Sequence, residues 1–174
     1  MTYVLVSVFC PDRTGLIAAI AGRLFDLGAN LGDTSFTVLG AGAEFTSICH
    51  IPPHLDADSL KEDLTGLAEL SEATIAVRDF GLKPEHGPTA EVTHVVTVTG
   101  GDRPGLVARL SEVFTQFRAN IVRMEAQTLP DSGGSRYFTR FAVWIPASNI
   151  DSCLNTVANT AGELGLSCGW QKQV

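Results

Sequence analysis

A five-residue turn occurs twice in the chain, as Asp12-Arg13-Thr14-Gly15-Leu16 near the start and as Asp102-Arg103-Pro104-Gly105-Leu106 beyond the midpoint. The copies lie 90 positions apart, and at the same offset Ala18, Ala29 and Asn30 match Ala108, Ala119 and Asn120. Each copy follows an apolar, β-branched run and opens an amphipathic helical pattern, so each marks a strand-to-helix turn. The sequence is therefore an internal duplication, and the offset divides the 174 residues into two units of roughly 80 residues each.

Taken in order, Tyr3 to Phe9 is apolar at nearly every position, as in a strand covered or paired on most sides. Asp12 is a candidate cap for a helix whose apolar face is Ile17, Ile20, Ala21, Leu24 and Leu27, with Gly28 as its stop. Asn30 to Leu39 and Ala43 to Ile51 read as a hairpin about Gly40-Ala41-Gly42, ended by Pro52-Pro53. A second helix is expected near Ser59, where Ser59 and Glu62 have the capping-box spacing, and Thr74 to Phe80 closes the unit. After a Pro- and Gly-broken linker the order repeats. Strands are expected at Val92 to Thr99, Asn120 to Leu129, Arg136 to Ile145 and Leu166 to Gln171, the middle pair joined by a turn at Pro130 to Gly134. Helices are expected from Pro104 to Phe117, with Val107, Leu110, Phe114 and Phe117 on one face, and from Ser148 or Asn149 onward, carrying Ile150, Leu154, Val157, Ala161 and Leu164.

The expected fold is thus α+β: two ferredoxin-like βαββαβ modules, each an antiparallel sheet with its helices on one face. The modules are expected at residues 1–80 and 92–174, with residues 81–91 as linker.

Charge and composition narrow the function classes. Hydrophobic residues make up 45% and charged residues 18%, the profile of a folded globular chain. The net charge is −7 with no Lys/Arg cluster, so direct duplex binding is not expected and any role near nucleic acid would run through a partner. No apolar run approaches the ~20 residues needed to span a bilayer. Met1-Thr2-Tyr3 leads straight into a strand pattern without a basic leader, from which a cytoplasmic location and no membrane association are expected. Cys10, Cys49, Cys153 and Cys168 are too dispersed for a zinc site or a disulfide framework and read as small core residues. Cys10, close to a helix N-terminus that would lower a thiol pKa, is the one with a possible second role.

The order strand, Asp-Arg-x-Gly-Leu, helix, then Ala-Asn-Leu (Ala29 to Leu31) or Ala-Asn-Ile (Ala119 to Ile121) resembles the ACT domain, a small regulatory module that binds amino acids. The tandem pair, with the stretch Val38 to Thr46, resembles the glycine cleavage system transcriptional repressor type within that family. Thr14 departs from the pattern, since the family usually has Pro there, as Pro104 does. The resemblance implies a non-catalytic, allosteric regulator that senses a small amino acid, glycine or serine, and modulates a transcription factor or enzyme. It also places ligands where two modules meet.

The residues give such binding a physical basis. Helix N-termini at residues 14 to 17 and 104 to 107 present unpaired backbone N–H groups and the positive end of the helix dipole, which suit a carboxylate. Gly15 and Gly105 lack the Cβ that would block a ligand's approach. Asn30 and Asn120 offer a carbonyl for an ammonium and an amide for a carboxylate. The ligand set read from the chain is Asp12, Thr14, Gly15, Leu16 and Asn30 with Asp102, Pro104, Gly105, Leu106 and Asn120. The plainer alternative is that the aspartates cap helices, the glycines ease packing and the asparagines hold left-handed backbone. Valine at either glycine is expected to block a ligand with little change in stability.

Catalytic readings find little support. Asp56-Ala57-Asp58 superficially matches a paired-aspartate phosphatase motif, but Pro52-Pro53-His54-Leu55 precedes it where a buried strand should stand, and helix capping fits better. His50 and His54 have Pro52 and Pro53 between them, which denies them a common helix face for a metal. No catalytic residue, metal or cofactor is assigned. The contrasting functions are a regulatory subunit of an amino-acid enzyme and, with less support, an enzyme. Each module leaves a sheet edge and face to protect, so a homodimer is expected.

Overall fold

The apolar run at the start forms β1 (Thr2–Pro11), and its position explains its composition. In the computed structural model, which describes residues 2–101, 103–131 and 134–173, β1 is an inner strand hydrogen-bonded on both sides. It pairs antiparallel with β3 (Gly42–Ile51) and with β4 (Thr74–Asp79), while β2 (Asn30–Leu39) takes the outer edge beyond β3. The sheet order β2-β3-β1-β4, with α1 (Leu16–Asp26) and α2 (Ala57–Thr65) as crossovers, is the ferredoxin-like arrangement.

The second half repeats it. β5 (His94–Gly101), α3 (Leu106–Gln116), β6 (Asn120–Asp131), β7 (Gly134–Trp144), α4 (Ile150–Glu163) and β8 (Ser167–Lys172) build a sheet ordered β6-β7-β5-β8. The chain divides into units Met1–Glu85 and His86–Val174, each with its own core. The strands of the second hairpin run further than expected, through Pro130 on one side and from Gly134 on the other. Ser132 and Gly133 of the expected turn lie outside the described residues.

Packing rotates two helices from their expected faces. α1 buries Leu16, Ile20 and Leu24 and leaves Ile17 exposed, and α3 buries Leu106, Leu110, Val113 and Phe114. The 3.6-residue period admits either stripe, and the Leu that ends the duplicated turn decides between them by anchoring the first helical turn in the core. In the first core Val4, Val6, Val8, Phe45 and Cys49 meet Leu60 and Leu64 of α2. Ser47 is buried among them with its hydroxyl satisfied by Thr34 Oγ1 at 2.8 Å.

Helix ends follow backbone geometry more than capping side chains. α2 is capped by Asp56, whose carboxylate accepts from Ser59 N–H at 2.8 Å and is held below the usual carboxylate range by that bond. The helix therefore begins two residues before Ser59. At the end of α1, Gly28 is left-handed (φ 77°), with Gly28 N–H on Phe25 O and Ala29 N–H on Leu24 O. Arg118 takes the same conformation (φ 57°) after α3. Asn30 and Asn120, one candidate for that left-handed role, are instead the first residues of β2 and β6.

The edge strands β2 and β6 each carry an extra residue just beyond that asparagine. On β2 the register shifts between Leu31 and Thr34, and on β6 between Ile121 and Arg123. Each shift is a β-bulge, and through it Leu31 and Phe36, five positions apart, both pack on the first core.

The start of β5 holds a buried histidine. His94 is 4% exposed, lies opposite Lys172 in the sheet and accepts or donates through Nδ1 to Thr93 Oγ1 at 3.0 Å. Burial first, and Lys172 second, hold its imidazole below the ordinary histidine value. The unfolded chain then binds more protons than the folded one in mild acid, so this contribution to stability is present above about pH 6.5 and lost as pH falls below it. Urea titrations of the parent and of His94→Gln between about pH 7.5 and pH 5 should show the steeper loss of stability in the parent. Equal slopes would show that His94 carries no such linkage.

Candidate functional site

Each duplicated turn leaves its strand, bends at a left-handed glycine and enters a helix. Gly15 has φ 95° and Gly105 φ 81°, and each occupies the N-cap position of its helix. Neither helix has a side-chain cap, and neither has an acidic residue in its first turn. Asp12 is thus no cap for α1; its backbone N–H instead donates to Ala41 O at 2.9 Å, which fastens the turn to the β2–β3 hairpin. Asp102, its counterpart, lies outside the described residues. The N-terminal N–H groups of α1 face outward with the positive end of the helix dipole behind them, and the carbonyl of Gly15 accepts the first helical bond from Ala19.

A depression of about 400 Å³ lies over the first turn, formed by residues 12–18 and closed on one side by Phe36 of β2. Thr14 is exposed at its rim, whereas the Leu16 side chain is buried beneath, so Leu16 can offer a ligand its backbone alone. Leu106 is buried in the same way in the second module.

The two turns differ in what they leave free. In the second, Leu106 N–H donates to Arg103 O at 3.1 Å, and Pro104 has no N–H to give. The Arg103 side chain reaches back to the C-terminus of α4, where Nε donates to Leu164 O at 3.2 Å. Arg13 makes no hydrogen bond or ion pair among the described residues. The first turn therefore keeps an uncommitted cation beside an open helix N-terminus, while in the second both the cation and one N–H are spent on structure.

Cys10 does not share in this. Burial raises its thiol pKa against the opposing pull of Arg13, so the thiolate expected beside a helix N-terminus is disfavoured. Cys49, Cys153 and Cys168 are raised by burial as well, Cys153 to about 11.

The asparagines stand apart from the turns of their own modules. Asn30 lies at the far end of β2 from Phe36, in a separate depression of about 310 Å³ with Tyr3, His50 and Pro84. The Tyr3 and His50 rings there are 5.4 Å apart. Asn120 is exposed, and its Nδ2 donates to Thr89 O at 2.9 Å. Within the first module, then, the expected carboxylate group at Gly15 and the expected ammonium group at Asn30 do not share a depression. Phe36, Tyr3 and His50 were not among the residues expected from sequence, because their places depend on strand pairing across the sheet and no local pattern reports it.

Comparison with known proteins decides the family. The family model for the ACT domain matches residues 93–130, which span the second turn and the strands on either side of its helix. The second module carries an ACT domain. Both ACT modules have relatives: the chain is 28% identical over 130 residues to the glycine cleavage system transcriptional repressor of Escherichia coli, a match covering 74% of this chain and 66% of that protein. It is also 20% identical over 171 residues to a bifunctional uridylyltransferase/uridylyl-removing enzyme of Stutzerimonas stutzeri. The chain spans only 19% of that enzyme's length.

The fold has full-length counterparts. A protein of unknown role from Galdieria sulphuraria superimposes with a TM-score of 0.77 at 21% identity, over 99% of both chains. A protein described as a glycine cleavage system transcriptional repressor superimposes with a TM-score of 0.65 at 14% identity, over 99% of this chain and 98% of that one. The tandem fold as a whole is therefore shared with these two proteins. Among the described residues no helix is long and apolar enough to cross a membrane, and no group of three His, Cys, Asp or Glu side chains could hold a metal ion.

Proposed function

We propose that the chain is a non-catalytic regulator that binds a small amino acid at a duplicated ACT turn and passes its occupancy to a protein partner. The observation that carries this reading is the first turn, where an uncapped helix N-terminus, a glycine without a Cβ and the free Arg13 border one depression. A carboxylate placed there accepts backbone N–H groups and faces a cation, and Asp12 or Thr14 supplies an acceptor for the ammonium. Gly105, Pro104, Leu106 and Asp102 form the second, more committed copy. Asn30 and Asn120 enter such a site only by facing a turn of another module, as in a homodimer. The similarity to the repressor favours glycine or serine as ligand, a transcription factor as partner and a cytoplasmic setting.

A thermal-shift screen of the twenty amino acids tests it. At roughly 100 times its dissociation constant the ligand should add ~2.7 kcal/mol of stability. No shift with any of them would refute amino-acid sensing. The protein alone should leave labelled duplex DNA unshifted at physiological salt, since its net charge of −7 repels phosphate.

A further inference from the structure

The two modules are alike in fold and unlike in charge. Residues 1–85 hold twelve acidic and five basic side chains, and residues 86–174 hold seven of each, so the whole net charge of −7 belongs to the first unit. Within that unit it gathers on the helices. The α1 and α2 layer (residues 16–28 and 54–73) carries seven acidic against two basic residues, whereas the matching layer of the second module (residues 106–118 and 147–165) carries three against two.

The same layer is open where its counterpart is closed. α3 and α4 pack along one another, but α1 and α2 are splayed, and Arg23 and Asp63 join them by an ion pair. A groove of about 730 Å³ remains between them. Its floor holds small residues, Ala19, Gly22 and Gly66, and its rim holds Asp26, Glu62 and Glu69. Large exposed apolar side chains on a helix occur among the described residues on α1 alone: Phe25 at 78% exposure and Ile17 at 48%. The matching positions on α3 are Thr115 and Val107.

We infer that the α1–α2 face of the first module is a docking surface for a basic amphipathic helix presented by a protein partner. The floor of small residues lets a third helix approach closely, the acidic rim matches Lys or Arg on its flanks, and Phe25 supplies an apolar contact that also stacks against a cation. An acidic or neutral partner would leave the rim carboxylates facing like charge or dry surface, and a nucleic acid or anionic membrane is repelled outright. This surface is separate from the duplicated turn and does not depend on an amino acid being bound.

The probe is a labelled amphipathic peptide of roughly 18 residues with a Leu face and a Lys face, titrated into the full chain by fluorescence anisotropy at low and physiological salt. The groove variant Asp26→Asn/Glu62→Gln/Glu69→Gln should weaken binding about tenfold, and Phe25→Ser several-fold more. The control variant Glu44→Gln/Asp79→Asn/Glu85→Gln, which removes as much charge from the same unit outside the helix layer, should change it less than about twofold. A peptide of identical composition with the amphipathic order scrambled should bind more weakly than the ordered one. All substituted positions are exposed, and circular dichroism checks that each variant is folded. Equal weakening by groove and control variants, indifference to Phe25→Ser, or tighter binding to duplex DNA or anionic vesicles than to the peptide would each overturn the proposal.

Discussion

Phe45→Ala should cost 3–5 kcal/mol of stability, against under about 1 kcal/mol for Thr139→Ala at the matching site of the second module. The two positions are equivalent: Phe45 stands opposite Val8 on β1, and Thr139 opposite Val98 on β5. Both are fully buried, Phe45 at 1% exposure and Thr139 at 0%. Phe45 is among the largest side chains in the first core, so its loss combines lost transfer energy with a cavity that the sheet cannot collapse around. Thr139 offers little to lose, because it is small and its hydroxyl has no hydrogen-bond partner among the described residues. Urea denaturation measures both changes, and hydrogen exchange should localise the Phe45→Ala loss to residues of the first unit. A Thr139→Ala cost equal to that of Phe45→Ala would mean that volume at this site does not set the stability of either core.

Gly15→Val should destabilise the protein by about 2 kcal/mol even though nothing crowds the new Cβ. A Cβ at Gly15 meets no atom within 4 Å, and the same holds at Gly105. The cost is conformational, since φ of 95° and 81° lies in the left-handed region that β-branched residues resist. This corrects the expectation that valine there would leave stability little changed. Gly15→Asn and Gly105→Asn should cost about 1 kcal/mol or less, because asparagine tolerates this region. They are the better variants for isothermal titration with whatever amino acid the thermal-shift screen returns. Equal losses for the Val and Asn variants in urea denaturation would remove backbone conformation as the explanation.

The fold was legible because its signals are local. The 90-residue offset exposed the duplication, and alternating apolar runs bounded by Pro and Gly placed β2 at Asn30–Leu39 and the other strands within a few residues. The helix faces were less so, since Ile17 and Leu16 both fit the helical period and only the packed core separates them. The start of α2 was misplaced because two cap patterns overlap there, and Asp56 prevails by bonding Ser59 N–H. The candidate site was legible as a list of residues and illegible as a place. Whether an Arg is free or tied depends on where the end of α4 lies, which Arg103 itself does not reveal. Whether Asn30 and Gly15 share a depression depends on the length of β2 between them.

The bulges in β2 and β6 leave each of these strands one residue to spare. Recurrence at the same place in both halves carries the feature back to the single ancestral half. Loss of the spare residue would restore regular pairing without inverting what lies downstream: Leu31 and Phe36 would stand four positions apart instead of five, and both would still face the first core. A residue inserted beyond the bulge has no such allowance and would turn every later position to the opposite face. Tolerance to length change in these strands is thereby one-sided, open to a single deletion and closed to a single insertion.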